Sequence, residues 1–156
     1  MRRFAAAALA LALTSCAGLP RVFRAADPLT AQEHARLGAA YDSQGLTAAA
    51  ERQYLRALVL DPRHTGAWMA LGNAAYAAGK YGRAARRYRR VLNLEPGHPG
   101  AANNLAMVYL AQNRRLSQAR VLAESALANA GTLRPHILDT LEQIAKRQAR
   151  PAPPAD

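Results

Sequence analysis

The sequence predicts an all-α fold, a short solenoid of three helical hairpins closed by one capping helix. Three observations lead there. First, the chain repeats itself every 34 residues: Leu37-Gly38 returns as Leu71-Gly72, Gly45 as Gly79, Ala50 as Ala84, Tyr54 as Tyr88, Pro62 as Pro96 and His64 as His98. A period of that size marks one supersecondary unit stacked on copies of itself, each too small to bury its apolar face alone. Second, Ala, Leu and Arg dominate while aromatics make up only 6%, a balance that favours helix over sheet. Third, Asp61-Pro62 and Glu95-Pro96 stand at the same place in successive periods. Proline lacks an N–H and restricts the residue before it, so each pair stops a helix. At 156 residues there is room for one domain of ordinary size.

The first 15 residues read as an export signal. Arg2 and Arg3 form a short positive region and Phe4 to Leu13 an apolar run. That run is too short for a membrane-spanning helix, which needs ~20 residues. Leu13-Thr14-Ser15-Cys16 follows, ending in the single cysteine of the chain. It resembles the lipobox of bacterial lipoproteins, an aliphatic residue and two small ones before the cysteine that is acylated and becomes the new N-terminus. A lone thiol in an exported chain has no intramolecular disulfide partner, in keeping with a lipid role for Cys16. Ala17 stands where an Asp favours inner-membrane retention in that family, so the resemblance implies the outer membrane, facing the periplasm. Residues 16–30 then serve as a tether, spanning at most about 50 Å at roughly 3.3–3.6 Å per residue.

From Ala31 the pattern resembles the tetratricopeptide repeat, a pair of antiparallel helices in 34 residues, with Leu37, Gly38, Tyr41, Ala50, Tyr54, Ala57 and Pro62 in the typed positions of unit one (31–64). Unit two (65–98) matches with Trp68, Leu71, Gly72, Ala84, Tyr88, Val91 and Pro96. His34 replaces the usual large aromatic near the start of unit one, and is read as a partly exposed helix residue. Gly38 and Gly72 let the second helix of each unit approach closely, and Gly45 and Gly79 supply positive φ where the first helix ends. Unit three (99–133) is degenerate. Leu105, Ala106 and Tyr109 fit, and Asn113 takes the glycine position. One residue is then inserted around Arg114-Arg115, so Ala119, Ala123 and Ala126 continue one position late, and Ala123 replaces the tyrosine. Residues 134–148 form a capping helix with Ile137, Leu138, Leu141, Ile144 and Ala145 on its apolar side. Residues 149–156 are a Pro/Ala tail with no means of burying a core, read as disordered. By resemblance the solenoid is right-handed.

No HExxH, GxSxG, phosphate-cradling glycine loop or CxxC pair is present, and the acids are scattered, so no catalytic residue, cofactor or metal is assigned. His64 and His98 belong to the repeat; His34 and His136 are isolated, and an enzymatic reading would have to rest on them. The formal net charge is +11. Export argues against nucleic acid as the acidic partner such a charge suggests. Arg83, Arg86, Arg87 and Arg90 lie at i, i+3, i+4 and i+7, one stripe on the second helix of unit two. The resemblance puts that stripe on the convex side, where acidic protein or anionic lipid would meet it.

The family's first helices line a concave groove that holds peptides. The corresponding positions are Ala35, Ala39 and Asp42; Met69, Asn73 and Tyr76; and Asn103, Met107 and Leu110. Met69, Asn73, Tyr76, Asn103 and Met107 are the expected contact residues, the amides pairing peptide N–H and C=O and the others giving adaptable apolar contact. Members that bind Hsp70 or Hsp90 tails clamp a terminal carboxylate with basic residues. Ala35, Gly100 and Asn104 stand there instead, which argues against such a ligand. The expectation is a lipid-anchored envelope adaptor holding a protein or peptide, with no small-molecule substrate. The competing expectation is an accessory subunit docked through its Arg-rich face.

Overall fold

The computed structural model describes residues 27–149. The export signal, Cys16, the tether before Asp27 and residues 150–156 lie outside the described residues. Those described form seven α-helices and no strand: α1 (Ala31–Ser43), α2 (Thr47–Leu60), α3 (Thr65–Ala77), α4 (Tyr81–Leu94), α5 (Pro99–Ala111), α6 (Leu116–Leu127) and α7 (Arg134–Gln148), with a 3₁₀ turn at Gly131–Leu133. The architecture is the all-helical one the repeat predicts. Short turns fold α1 on α2, α3 on α4 and α5 on α6, giving three stacked hairpins, and α7 packs on α5 and α6.

Helix starts follow local chemistry. Thr30 and Glu33 form a capping box at α1: the Thr30 N–H donates to Glu33 Oε2 at 2.7 Å, and the Glu33 N–H to Thr30 Oγ1 at 3.3 Å. The two repeated histidines are caps as well. Nδ1 of His64 accepts from the Ala67 N–H, and Nδ1 of His98 from the Ala101 N–H, both at 3.1 Å. The α1–α2 and α3–α4 turns pass through Gly45 (φ 73°) and Gly79 (φ 68°). In unit three Asn113 takes that place at φ 49°, and the inserted residue is Arg115, itself left-handed at φ 55° at the N-cap position of α6, with no side-chain cap bond.

The hairpin core is set by a size match. A Cβ on Gly38 would lie 2.7 Å from Tyr54 Cε1, and one on Gly72 would lie 2.5 Å from Tyr88 Cε1. Both rings therefore depend on the missing side chain opposite. In unit three the pair is Ala106 and Ala123, both fully buried: the ring is gone and the glycine has become alanine. Ala119, Ala123 and Ala126 form the buried face of α6, so the one-residue shift in the motif keeps the packing intact.

Two sequence expectations are corrected. His34 is 1% exposed, not a partly exposed residue. It fills the aromatic position, with Nδ1 at 2.8 Å from Gln53 Oε1 and Nε2 at 3.3 Å from Asp27 Oδ2, an ion-pair distance without hydrogen-bond alignment. The buried side of α7 is Ile137, Thr140 and Ile144, with Leu141 half-buried, whereas Leu138 and Ala145 are exposed. Positions 137, 140, 141 and 144 make a narrower stripe than the sequence suggested, and Thr140 joins it because its hydroxyl donates to the His136 carbonyl at 3.0 Å. No helix among the described residues is long and apolar enough to cross a membrane.

Candidate functional site

Two cavities open along the face of α1, α3 and α5. The first, about 710 Å³, lies between units one and two and includes Ala39, Asp42, Tyr54, Ala70, Asn73 and Ala77. The second, about 250 Å³, lies between units two and three and is lined by Asn73, Tyr76, Tyr88, Asn104 and Met107. Asn73 lines both, so the two are successive stretches of one groove.

The polar atoms of the groove are partly committed. Oδ1 of Asn73 accepts from the Tyr88 hydroxyl at 2.9 Å and from Nδ2 of Asn104 at 3.0 Å. This leaves Nδ2 of Asn73 as a donor and Oδ1 of Asn104 as an acceptor, the complement of one peptide unit. At the other end Asp42 Oδ2 accepts from the Tyr54 hydroxyl at 2.8 Å. Burial, and then this carboxylate, push the Tyr54 phenol well above its usual range. Burial pushes Tyr88 up to about 12 and raises Tyr76, whose ring meets Tyr81 edge-on at 5.4 Å. All three phenols stay protonated at neutral pH, and those of Tyr54 and Tyr88 serve as donors. Among the described residues Asp42 is the one charged side chain lining either cavity.

Of the five expected contact residues, Asn73, Tyr76 and Met107 line the groove. Asn103 does not: it is 6% exposed, its Nδ2 lies 3.6 Å from Met107 Sδ and its Oδ1 has no partner among the described residues. Its neighbour Asn104 takes the groove position, three residues before Met107 and on the same face. Met69 is half-buried against the core, with its Cε 3.5 Å from where a Cβ on Gly100 would stand. Ala35 and Leu110, also read as inward-facing positions, are buried core residues. Asn104 was legible as an i, i+3 partner of Met107; its bond to Asn73 on another helix was not.

The basic stripe divides in two. Arg83, Arg86 and Arg90 are exposed, and Arg83 and Arg86 share a shallow cleft with Lys80. Arg87 is half-buried, its guanidinium 5.7 Å from the centre of the Trp68 ring. Burial lowers its pKa, partly offset by Glu51. It is a packing residue before it is a surface charge. Among the described residues no group of three or more His, Cys, Asp or Glu is placed to hold a metal ion.

Two family models described as tetratricopeptide repeat match the sequence, one over residues 35–81 and the other over 75–144. No curated protein matches. Among solved structures, the first such domain of Spaghetti (RPAP3), bound to the HSP90 peptide SRMEEVD, superposes with a TM-score of 0.68 at 20% identity, covering 77% of this chain and 94% of that one. The Yersinia enterocolitica type III secretion translocator chaperone SycD superposes at 0.69 with 20% identity, over 77% and 95% of the two chains. SycD in complex with a peptide of the translocator YopD gives 0.67 at 19% identity, over 75% and 93%. At these identities the likeness is one of fold.

Proposed function

The chain carries tetratricopeptide repeats across residues 35–144, and from that premise we propose that it is an adaptor holding an extended peptide segment of another envelope protein in the groove of α1, α3 and α5. The carrying observation is Asn73, which lines both cavities and has its carbonyl held by Tyr88 and Asn104, so that its amide N–H is presented to a ligand. Peptides or partner proteins occupy the fold neighbours SycD and Spaghetti, which supports the choice of ligand class.

The groove chemistry narrows the ligand. Among the described residues no cation lines either cavity, which disfavours an acidic or carboxylate-terminated segment. Asp42 favours a segment with a Lys or Arg at one end, while Tyr76 and Met107 favour small apolar side chains at the other. Anchoring through acylated Cys16, with the solenoid facing the periplasm, completes the proposal; more than one acyl chain gives stable attachment where one would be marginal. Assistance to a secretion, pilus or peptidoglycan machine is compatible with such placement.

Crosslinked capture from native membranes tests this, comparing the wild type with Asn73→Ala/Tyr76→Ala/Asn104→Ala and with Arg83→Glu/Arg86→Glu/Arg90→Glu. The captured segment, resynthesised as a peptide, should bind the groove variant about 30-fold more weakly, corresponding to roughly 2 kcal/mol. Binding lost only on charge reversal would move the function to the second reading, docking through the basic face. The observation favouring that reading is that Arg83, Arg86 and Arg90 are exposed and have no carboxylate within ion-pair distance among the described residues. Labelling with palmitate that persists in Cys16→Ser would dismiss the anchor.

A further inference from the structure

A separate cleft opens between α4, α5 and α6, away from the groove. Its volume is about 550 Å³, within the range of small-molecule sites. One side is apolar, formed by Leu105, Leu122 and Val121, the last 64% exposed. The other is cationic. Arg89 Nη2 donates to the Tyr109 hydroxyl at 2.9 Å, and the Arg89 and Arg115 guanidinium carbons lie 6.0 and 5.7 Å from the centre of the Tyr109 ring. Among the described residues neither arginine is paired with a carboxylate. Two like charges brought to one ring repel, and an anion between them would relieve that repulsion. Burial alone would raise the Tyr109 phenol, yet the bond from Arg89 and the positive charge of Arg89 and Arg115 outweigh it and hold the group below its usual range.

Arg115 reaches this cleft by an unusual route. It is the residue inserted into the third repeat, and it sits in left-handed backbone (φ 55°, ψ 37°) that residues bearing a Cβ adopt at a cost. The α1–α2 and α3–α4 turns place glycine at their left-handed position and have no counterpart to Arg115.

We propose that this cleft binds a small amphiphile, one carboxylate or phosphate head on an aliphatic body, with Arg89 and Arg115 gripping the head and Leu105, Val121 and Leu122 covering the chain. Ser117 and Gln118, also in the cleft wall, supply neutral donors to the head. This is a small-molecule site that the repeat pattern alone does not announce, and it stands independently of the groove.

Calorimetry on the full chain tests it, with decanoate and decyl phosphate as probes and decyltrimethylammonium as the charge control. Arg115→Gly is the decisive variant, because glycine suits positive φ and the turn is preserved; a urea midpoint no lower than that of the wild type certifies the fold. Arg89→Gln is the second variant. Each should weaken the anionic probes at least tenfold, while replacement of the exposed Arg63, Arg63→Gln, leaves them unchanged. Sedimentation with phosphatidic acid vesicles distinguishes the source of the head group. Binding of free decanoate identifies a soluble amphiphile, whereas vesicle binding lost in Arg115→Gly without free-probe binding identifies a head presented from a bilayer. Wild-type affinity in either variant, equal binding of decyltrimethylammonium, or no binding to probe or vesicle would overturn the assignment.

Discussion

At Gly72 a Cβ would stand 2.5 Å from Cε1 of Tyr88, a fully buried ring with no room to retreat. Gly72→Ala should therefore destabilise the fold by about 1–3 kcal/mol, the cost of overpacking. In a Tyr88→Ala background the sign should reverse, because the clash is gone and alanine is the better helix former by roughly 0.5–1 kcal/mol. Urea denaturation of the four proteins of that cycle measures the coupling; additive effects would refute the size match. The natural Ala106–Ala123 pair is the same double replacement in unit three. Tyr88 also sets a pH response. Burial raises its folded pKa from the ordinary 10.0 to about 12, so the fold prefers the protonated phenol. Its contribution is complete below about pH 10, where the unfolded phenol ionises, and is lost as pH rises through the folded value of about 12. Stability measured across that alkaline window should fall less steeply in Tyr88→Phe than in the wild type.

The helices illustrate how little of an element's packing its own sequence reveals. In α7, Ile137 and Ile144 are fully buried while Leu138 is 48% exposed, although all three belong to the same apolar run. Ile144→Ala should cost about 2–5 kcal/mol by leaving a cavity at the end of the array. Leu138→Ala should fall within about 0.5 kcal/mol of the wild type. Equal losses at the two sites would mean that α7 does not cap the array through this face. In α4 the distinction is between Arg87, stacked on Trp68, and Arg83, Arg86 and Arg90, turned to solvent. The regular i, i+3, i+4 spacing gives no hint of that difference.

At the scale of the described molecule, most buried apolar residues fall into two clusters. One of sixteen residues runs from Ala75 in α3 to Ile144 in α7; the other, of seven, joins α1, α2 and the start of α3. The smaller cluster holds unit one, and opening is cheapest where the least apolar surface is lost. Amide hydrogen exchange should therefore report lower opening free energies for α1 and α2 than for α5 and α6. Uniform protection would indicate a single cooperative unit. Asp42 lies in that less stable unit, so the acidic end of the groove should open before the Asn73–Asn104 end.

The repeat itself was legible residue by residue, because its determinants are local. Helical periodicity, Gly45 and Gly79 at the turns, proline after the second helix of units one and two and the paired Gly–Tyr positions act within one hairpin and need no knowledge of neighbouring units. The insertion in unit three was equally visible from the late register of Ala119, Ala123 and Ala126. What depends on how one hairpin is rotated on the next could not be read from the sequence. That rotation puts Asn104 rather than Asn103 beside Asn73 and brings Arg89 of one unit to Tyr109 of the next. A one-residue step turns a side chain by about 100° around a helix. Contacts within a hairpin therefore follow from sequence spacing, while contacts between hairpins follow only from the packed array.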